Sequence, residues 1–412
     1  MSGVPAPDGG DSPAALDKRS YMCSNACVRW DNLTFADPEG RDLTDTSVGS
    51  GSPHQNGAGS ATGPAIRNAP ADALPFALPG AVTRTFDTPG FAGMTFYEIR
   101  AKSVINRVPG RSRVPFEWTI NPYRGCSHAC TYCFARNTHT YLDLDAGRDF
   151  DTKVIVKVNV GELVRRELAA PKWRGDHIAM GTNVDCYQRA EGRYQLMPQI
   201  ISALRDFRNP FSILTKGTLI LRDLSLLREA AEVTAVGLSF SVGFVDDALW
   251  RSVEPGTPSP CRRLDAVRTL TDAGFTVGVL MAPILPFLTD TDESIDATVA
   301  AIAESGAASV TPLLLHLRPG AREWYAAWLD QAFPHLAPRY RALYRRGSYL
   351  PKDYQHDVTE RVEKAVRRHG MDKAERNRAR QVPASPTEAR ALAAATPSRP
   401  SGAAEPEQLT LL

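Results

Sequence analysis

The sequence predicts an α/β fold in which a parallel sheet is covered by helices. From residue 114 onward, stretches with the apolar–polar alternation of strands take turns with stretches carrying helical apolar spacing. About six such strand–helix repeats follow one another. The links between them are short, which favours strands that return in the same direction by way of a helix. Pattern alone leaves an open doubly wound sheet and a barrel both standing.

The elements can be justified in order. Residues 1–85 are rich in Gly, Pro, Ser, Asp and Ala, and are expected to form a largely disordered extension. The stretch Ser47–Pro64 has too little apolar surface to offset its ordering entropy. Order begins near Phe86, with a short apolar element at Met94–Ile99. Strands are expected at Phe116–Ile120, Val154–Val158, His177–Met180, Phe211–Thr215 and Val236–Val242. Two more are expected at Phe275–Met281, ended by Pro283 and Pro286, and at Val310–Leu317. Helices are expected at Glu162–Ala169, Met197–Phe207 and Leu221–Glu232. Arg262–Ala273 and Asp292–Ser305 are helices stopped by Gly274 and Gly306. The chain thus divides into the extension, a core at 86–320, a helical basic and aromatic stretch at 321–383, and a flexible tail at 384–412.

Composition narrows the class. The chain has 412 residues, 43% hydrophobic and 23% charged, as expected of one large or two medium globular domains. A net charge of +2 announces no global field for nucleic acid, so any basic surface is local. Seven cysteines at uneven spacing do not make a disulfide framework. There is no run of about 18 apolar residues for a membrane span, and the first residues lack a basic start followed by an apolar stretch, so no secretory signal is expected. A reducing cytoplasm fits these features. Cys23 and Cys27 sit in the low-complexity extension and read as two exposed thiols, with auxiliary cluster or redox ligation as the alternative.

The chemistry is concentrated in Asn-Pro-Tyr-Arg-Gly-Cys-Ser-His-Ala-Cys-Thr-Tyr-Cys-Phe-Ala, where Cys126, Cys130 and Cys133 share one short loop. Iron–sulfur clusters are usually held by four cysteines, so three leave one iron open. An open coordination position is where a substrate or cofactor can sit. The alternatives are a structural zinc loop, to which His128 would add a ligand, and three unrelated buried thiols.

With the aromatic Tyr132 before its last cysteine, this loop resembles the radical S-adenosylmethionine (SAM) enzymes. The resemblance implies a 4Fe–4S cluster on Cys126, Cys130 and Cys133, and SAM bound to the fourth iron. It implies reductive cleavage of SAM to a 5′-deoxyadenosyl radical, with an electron donor such as flavodoxin or ferredoxin. It also tips the fold to a partial (β/α)6 barrel over roughly residues 112–320. Relatives begin near a sequence like Arg29-Trp30, so residues before Val28 are expected to be a misassigned start, which N-terminal sequencing of the native protein checks.

In such architectures ligands sit at the carboxyl ends of the strands. There the chain carries Gly181-Thr182-Asn183-Val184-Asp185, then Thr215-Lys216, then Ser239 and Ser241 within a strand, and finally His316-Leu317-Arg318. The order of these strings, together with Glu254-Pro255-Gly256-Thr257-Pro258, resembles the spore photoproduct lyase and DNA repair photolyase-like branch between Phe91 and Pro351. The resemblance makes Tyr132, Asp185, Lys216 and Ser239 cofactor-binding residues. For Asp185 the alternative is capping of the next turn, and for Lys216 a solvated side chain. The branch has a hydrogen-donating cysteine three residues before the aspartate, where this chain has Thr182. Cys186, one residue after the aspartate, is the candidate donor, against the alternative of an inert buried thiol.

Residues 318–354 interleave basic and aromatic side chains, among them Arg322, Trp324, Tyr325, Trp328, Tyr340, Arg345, Arg346 and Tyr349. Arg and Lys suit phosphates and flat rings suit unstacked bases, while packing of the rings on the barrel is the alternative. The last residues, Gln408-Leu409-Thr410-Leu411-Leu412, resemble the peptide by which bacterial polymerases and repair proteins dock on the sliding clamp. The reading is a cytoplasmic, lyase-like radical SAM enzyme acting on nucleic acid in DNA lesion repair. The alternatives are modification of RNA, a peptide or a small metabolite, and a zinc-stabilised nucleic-acid binder without turnover.

Overall fold

The structure is a computed structural model that describes residues 66–67, 78, 80–109 and 114–371. Most of the N-terminal extension, Cys23 and Cys27, the tail and the Gln408–Leu412 peptide lie outside the described residues. Two sheets are present among them.

The smaller sheet holds β1 (Ile66–Arg67), β2 (Val82–Phe86) and β3 (Thr95–Ile99), paired antiparallel in that order. The chain then lays β4 (Ile105–Arg107) against β5 (Trp118–Ile120) in the larger sheet. It returns to the smaller sheet through β6 (Tyr123–Arg124) and, after the cysteine loop and α1 (Arg148–Thr152), through β7 (Lys153–Lys157). β7 runs parallel to β3 and antiparallel to β6. The strand expected at Val154–Val158 therefore exists but belongs to this second sheet. Its periodicity could not reveal that, because both of its faces are covered. Val154 and Val156 enter the main core, while Ile155 packs with Tyr97, Ile99 and Leu142.

α2 (Val160–Leu168) leads to the larger sheet, whose remaining strands are β8 (Ile178–Met180), β9 (Phe211–Thr215), β10 (Val236–Ser241), β11 (Val277–Ile284) and β12 (Ser309–Leu314). The spatial order is β12-β11-β10-β9-β8-β5-β4. The six strands from β5 to β12 in this order are parallel, and β4 alone is antiparallel. The crossovers are α3 (Arg189–Tyr194) and α4 (Leu196–Asp206), α5 (Leu224–Val233), α6 (Asp247–Val253) and α7 (Pro260–Asp272), and α8 (Asp292–Glu304). This is the α/β arrangement of a partial barrel, with β12 and β4 as its two edges.

Local chemistry explains the boundaries. Asp246, Ser259 and Thr291 each accept a bond from a backbone N–H of the first turn of α6, α7 and α8. Pro260 opens α7, where no N–H is required. One expectation needs correction: β11 does not stop before Pro283 but runs to Ile284. Its pairing with β12 shifts between Met281 and Ile284, and such an irregularity tolerates a residue without an N–H.

Beyond the sheet come α9 (Ala321–Ala332), α10 (Ala337–Leu343) and α11 (Lys352–Arg368). α11 sends Val358, Val362, Ala365 and Val366 into the main core. α9 and α10 build a second core with Phe244, Leu285 and Leu317 around Tyr325 and Tyr340. Cys126 borders the first core and Cys130 the second. The cysteine loop is therefore gripped between them.

Candidate active site

The cysteine loop leaves the ends of β5 and β6 and is fastened at several backbone points. Cys126 N donates to Phe150 O at 2.9 Å. The buried Gln188 side chain donates from Nε2 to Gly125 O and accepts from Ser127 N, each at 2.9 Å. Gly125 has φ +81°, and a Cβ there would stand 2.7 Å from Lys153 O. On the other side, Thr131 N donates to Val253 O and Gly256 N to His128 O, both at 3.0 Å. A Cβ on Gly256 would lie 2.0 Å from Ser127 O. The Glu254–Pro258 turn is thus docked flush on the cysteine loop.

Below the loop, Arg136 is fully buried and donates from Nε and Nη2 to Cys130 O at 3.2 and 2.9 Å. It also pairs with Asp151 at 2.8 Å and lies between the rings of Phe150 and Trp324. Trp324 belongs to α9, so the C-terminal helices help to seat the loop.

Cys130 and Cys133 add to the raised pKa of Cys126, and Cys133 to that of Cys130. Burial is the main cause, pushing Cys130 up to about 12, Cys126 well above the ordinary thiol value, and Cys133 upward. Lys216 and Arg263 act in the opposite sense on Cys130, as do Arg136 and Lys216 on Cys133. Among the described residues, no group of three or more His, Cys, Asp or Glu side chains is drawn together to hold one metal ion.

Three of the sequence-predicted residues, Tyr132, Asp185 and Lys216, meet this loop or its neighbours. Tyr132 donates its hydroxyl proton to Glu254 Oε1, and Lys216 Nζ stands 5.7 Å from the centre of the Tyr132 ring. Asp185 accepts from Tyr187 N and Thr215 Oγ1 on Oδ1, at 2.9 and 2.6 Å. On Oδ2 it accepts from Lys216 N at 2.6 Å and faces His128 Nδ1 at 3.4 Å. Asp185 therefore closes the next turn and also ties the ends of β8 and β9 to the cysteine loop. Burial pushes His128 down to about 4, so its ring is neutral when it faces Asp185. Cys186 is fully buried in the main core, with no surface open to a substrate. Ser239 is half-buried within β10, in register with Leu214 and Gly278, and no hydrogen bond among the described residues joins it to Tyr132, Asp185 or Lys216.

Sequence reasoning gave no role to Glu254, Arg263, Gln188 or Arg136. Glu254 is 1% exposed and bonded to Tyr132 and Arg263, which is equally buried. Arg263 also donates to Ser241 O at 3.0 Å and Pro258 O at 2.8 Å. The one available signal was a glutamate opening a Pro-Gly-Thr-Pro turn. Its partner Tyr132 is 122 residues away, beyond any local spacing rule.

The arrangement fits an iron–sulfur cluster by its donor set. Three thiols share one short loop, burial disfavours their thiolates without a cation, and His128 is directed to Asp185 rather than to a closed four-ligand site. In a cluster each thiolate meets its own iron, so the sulfurs need not converge on one point. Two buried oxygens flanking or within the loop, Asn121 Oδ1 and Thr131 Oγ1, have no hydrogen-bond partner among the described residues.

Comparison with known proteins identifies the family. Residues 120–301 match the radical SAM superfamily model. The uncharacterized protein Rv2578c of Mycobacterium tuberculosis is 49% identical over 299 residues, covering 72% of this chain and 88% of that protein. The uncharacterized protein MJ0683 of Methanocaldococcus jannaschii is 32% identical over 203 residues, 49% of this chain and 72% of that one. Among solved structures, spore photoproduct lyase complexed with dinucleoside spore photoproduct aligns at TM-score 0.48 and 16% identity, over 63% of this chain and 76% of that one. The chain belongs to the radical SAM superfamily.

Proposed function

We propose that Cys126, Cys130 and Cys133 hold a 4Fe–4S cluster, that SAM is the co-substrate, and that the enzyme acts on nucleic acid in DNA lesion repair. The cluster would supply the electron that splits SAM to a 5′-deoxyadenosyl radical, the hydrogen-abstracting agent of this superfamily. The observation that carries the reading is three cysteines on one clamped loop, Cys126 and Cys130 buried and Cys133 half-buried, beside Lys216 at the carboxyl end of β9.

The chain's own residues would do three things. Gln188, Arg136 and the Glu254 turn hold the loop backbone, so the thiols keep their places whatever binds above them. Lys216, its backbone N–H spent on Asp185, forms no ion pair among the described residues and would offer its ammonium to the SAM carboxylate. Asp185 has its oxygens engaged by three donors within the protein, so its contribution is to position Lys216 and His128. Because Cys186 is sealed in the core, the hydrogen returned to product would come from another group or from 5′-deoxyadenosine itself.

The spore photoproduct lyase and DNA repair photolyase-like branch is supported by the order of the strings around Asp185, Lys216 and Glu254, and weakened by Thr182 in place of a cysteine. A cytoplasmic site of action accords with an oxygen-sensitive centre, and no helix of the described residues is long and apolar enough to cross a membrane.

Anaerobic reconstitution with iron and sulfide tests the proposal. The wild type should gain a paramagnetic cluster on reduction and release 5′-deoxyadenosine with SAM, and Cys126→Ser, Cys130→Ser and Cys133→Ser should each abolish both. A cluster that survives any one of these substitutions sinks the assignment. Deuterium recovered in 5′-deoxyadenosine from a labelled, damaged oligonucleotide would identify the substrate class. Transfer only from peptide or metabolite substrates would refute the nucleic-acid part.

A further inference from the structure

Next to the cysteine loop, three flat rings line up toward the surface. Phe134, the residue after Cys133, has its ring centre 5.7 Å from that of His316, which follows β12. His316 in turn stacks on Tyr349 at 5.6 Å and 22° between planes. Burial, with Arg318 alongside, pushes His316 down to about 4, so the middle ring is neutral and stacks without a charge to solvate. Arg318 braces the row from the side: its guanidinium lies 5.6 Å from the Phe134 ring centre and donates to the Tyr349 hydroxyl at 3.2 Å. The row ends on Tyr349, which is 58% exposed, the most of any large hydrophobic side chain among those described.

This exposure is held in place rather than left to a loose loop. Leu317 N donates to Ser348 O at 2.8 Å, Arg322 donates to Gly347 O, and Leu350 is buried in the second core. The surrounding segment presents Arg345, Arg346 and Lys352 to solvent, with Asp353 the one acidic neighbour between 345 and 353. By contrast, Tyr325, Tyr340 and Tyr344 of the same stretch are buried in the second core, and their hydroxyls are spent on one another and on Pro286 O and Leu315 O. They have no face to offer a ligand.

We infer that Tyr349 is a stacking platform for one unpaired nucleobase, with Arg345, Arg346 and Lys352 receiving the flanking phosphates. An exposed ring backed by further rings offers a rigid π-face, and base–aromatic stacking needs no particular base. Cations on the same short segment supply the charge complementarity that a polyanion requires. The inference rests on the nucleic-acid reading above and assigns its binding surface. Because the row starts at Phe134, a base seated there would place its strand beside the cysteine loop.

The test is fluorescence anisotropy with a labelled single-stranded oligonucleotide, on the full chain, at several salt concentrations. Tyr349→Ala should weaken binding roughly ten-fold or more, while Tyr349→Trp retains it. Arg345→Ala with Arg346→Ala should weaken binding and lower the salt dependence, which Tyr349→Ala should leave unchanged. An oligonucleotide of abasic sites should bind wild type and Tyr349→Ala equally. Unchanged thermal melting of Tyr349→Ala excludes misfolding as the cause of its loss. If the wild type binds and Tyr349→Ala binds as well, the platform is overturned while the nucleic-acid reading stands. If the wild type binds no oligonucleotide, both fall.

Discussion

Tyr132 and Glu254, 122 residues apart, are joined by a buried hydrogen bond in which the tyrosine hydroxyl donates to the carboxylate. Arg263 binds the other carboxylate oxygen. Burial alone would push Glu254 up, yet Arg263 and Lys216 hold it below its ordinary value, so it is ionised in place. Glu254→Gln should leave the Arg263 charge buried and uncompensated, costing about 3–5 kcal/mol. Tyr132→Phe removes one donor and should cost less, about 1–3 kcal/mol. Denaturant unfolding compares the two. Equal losses would mean that the hydroxyl, not the ion pair, dominates this junction.

Gly256 separates loop geometry from general stability. A Cβ would stand 2.0 Å from Ser127 O and 2.9 Å from the His128 backbone, so neither side can give without moving the cysteine loop. Gly256→Ala should therefore reconstitute with much less iron per chain than wild type, while its far-UV circular dichroism stays unchanged. Full iron content in that variant would show that the loop tolerates displacement.

The residues of these three variants were legible in the sequence to different degrees. The placement of Tyr132, Asp185 and Lys216 around the cysteine loop could be anticipated because each sits within a few residues of a motif or a strand terminus. The alternation of strands and helices was readable for the same reason, since burial on one face leaves a period in the chain. Val154–Val156 broke that logic because both faces of β7 are covered, and a continuous apolar run does not say which sheet it joins. Pro283 misled because a shift in pairing admits a proline inside a strand. Glu254, Gln188 and Arg136 act through partners brought near by the fold, and no spacing rule reports such contacts. The interleaved rings of 318–354 looked alike in sequence, whereas folding buries Tyr325 and Tyr340 and exposes Tyr349.

Acid sensitivity should have an identifiable contributor at the opposite end of the strands. His177 precedes β8, and both ring nitrogens are buried with no hydrogen-bond partner among the described residues. Burial pushes it down to about 4 from an ordinary value of 6.5. The unfolded chain therefore binds this proton more readily than the folded one. Its contribution is intact above about pH 6.5 and is lost as pH falls toward 4, amounting to about 3 kcal/mol in all. His177→Leu should flatten the loss of stability between pH 6.5 and 4 relative to wild type, by up to one proton's slope, about 1.4 kcal/mol per pH unit. His128, His139 and His316 are lowered in the same direction and remain in both proteins, so the difference isolates His177. Parallel curves for the two proteins would refute the assignment.

Arg136 offers the sharpest distinction between charge and shape. Its fork meets Cys130 O twice, Gly147 O at 2.8 Å and Asp151 at 2.8 Å, while its plane lies 5.2 and 4.9 Å from the ring centres of Phe150 and Trp324. A lysine keeps the charge but cannot present parallel donors or stack on two rings. Arg136→Lys should leave Cys130 O and part of Asp151 without donors in a buried setting, destabilising by about 2–4 kcal/mol. It should also lower iron retention, because Cys130 loses the anchor on its own carbonyl. Trp324→Leu keeps every hydrogen bond and removes one ring face, so it should cost about 1–2 kcal/mol and leave iron retention unchanged. Paired measurements of unfolding free energy and iron content on the two variants check this. If Trp324→Leu sheds as much iron as Arg136→Lys, the loop is held by the packing of α9 rather than by hydrogen bonds from the guanidinium.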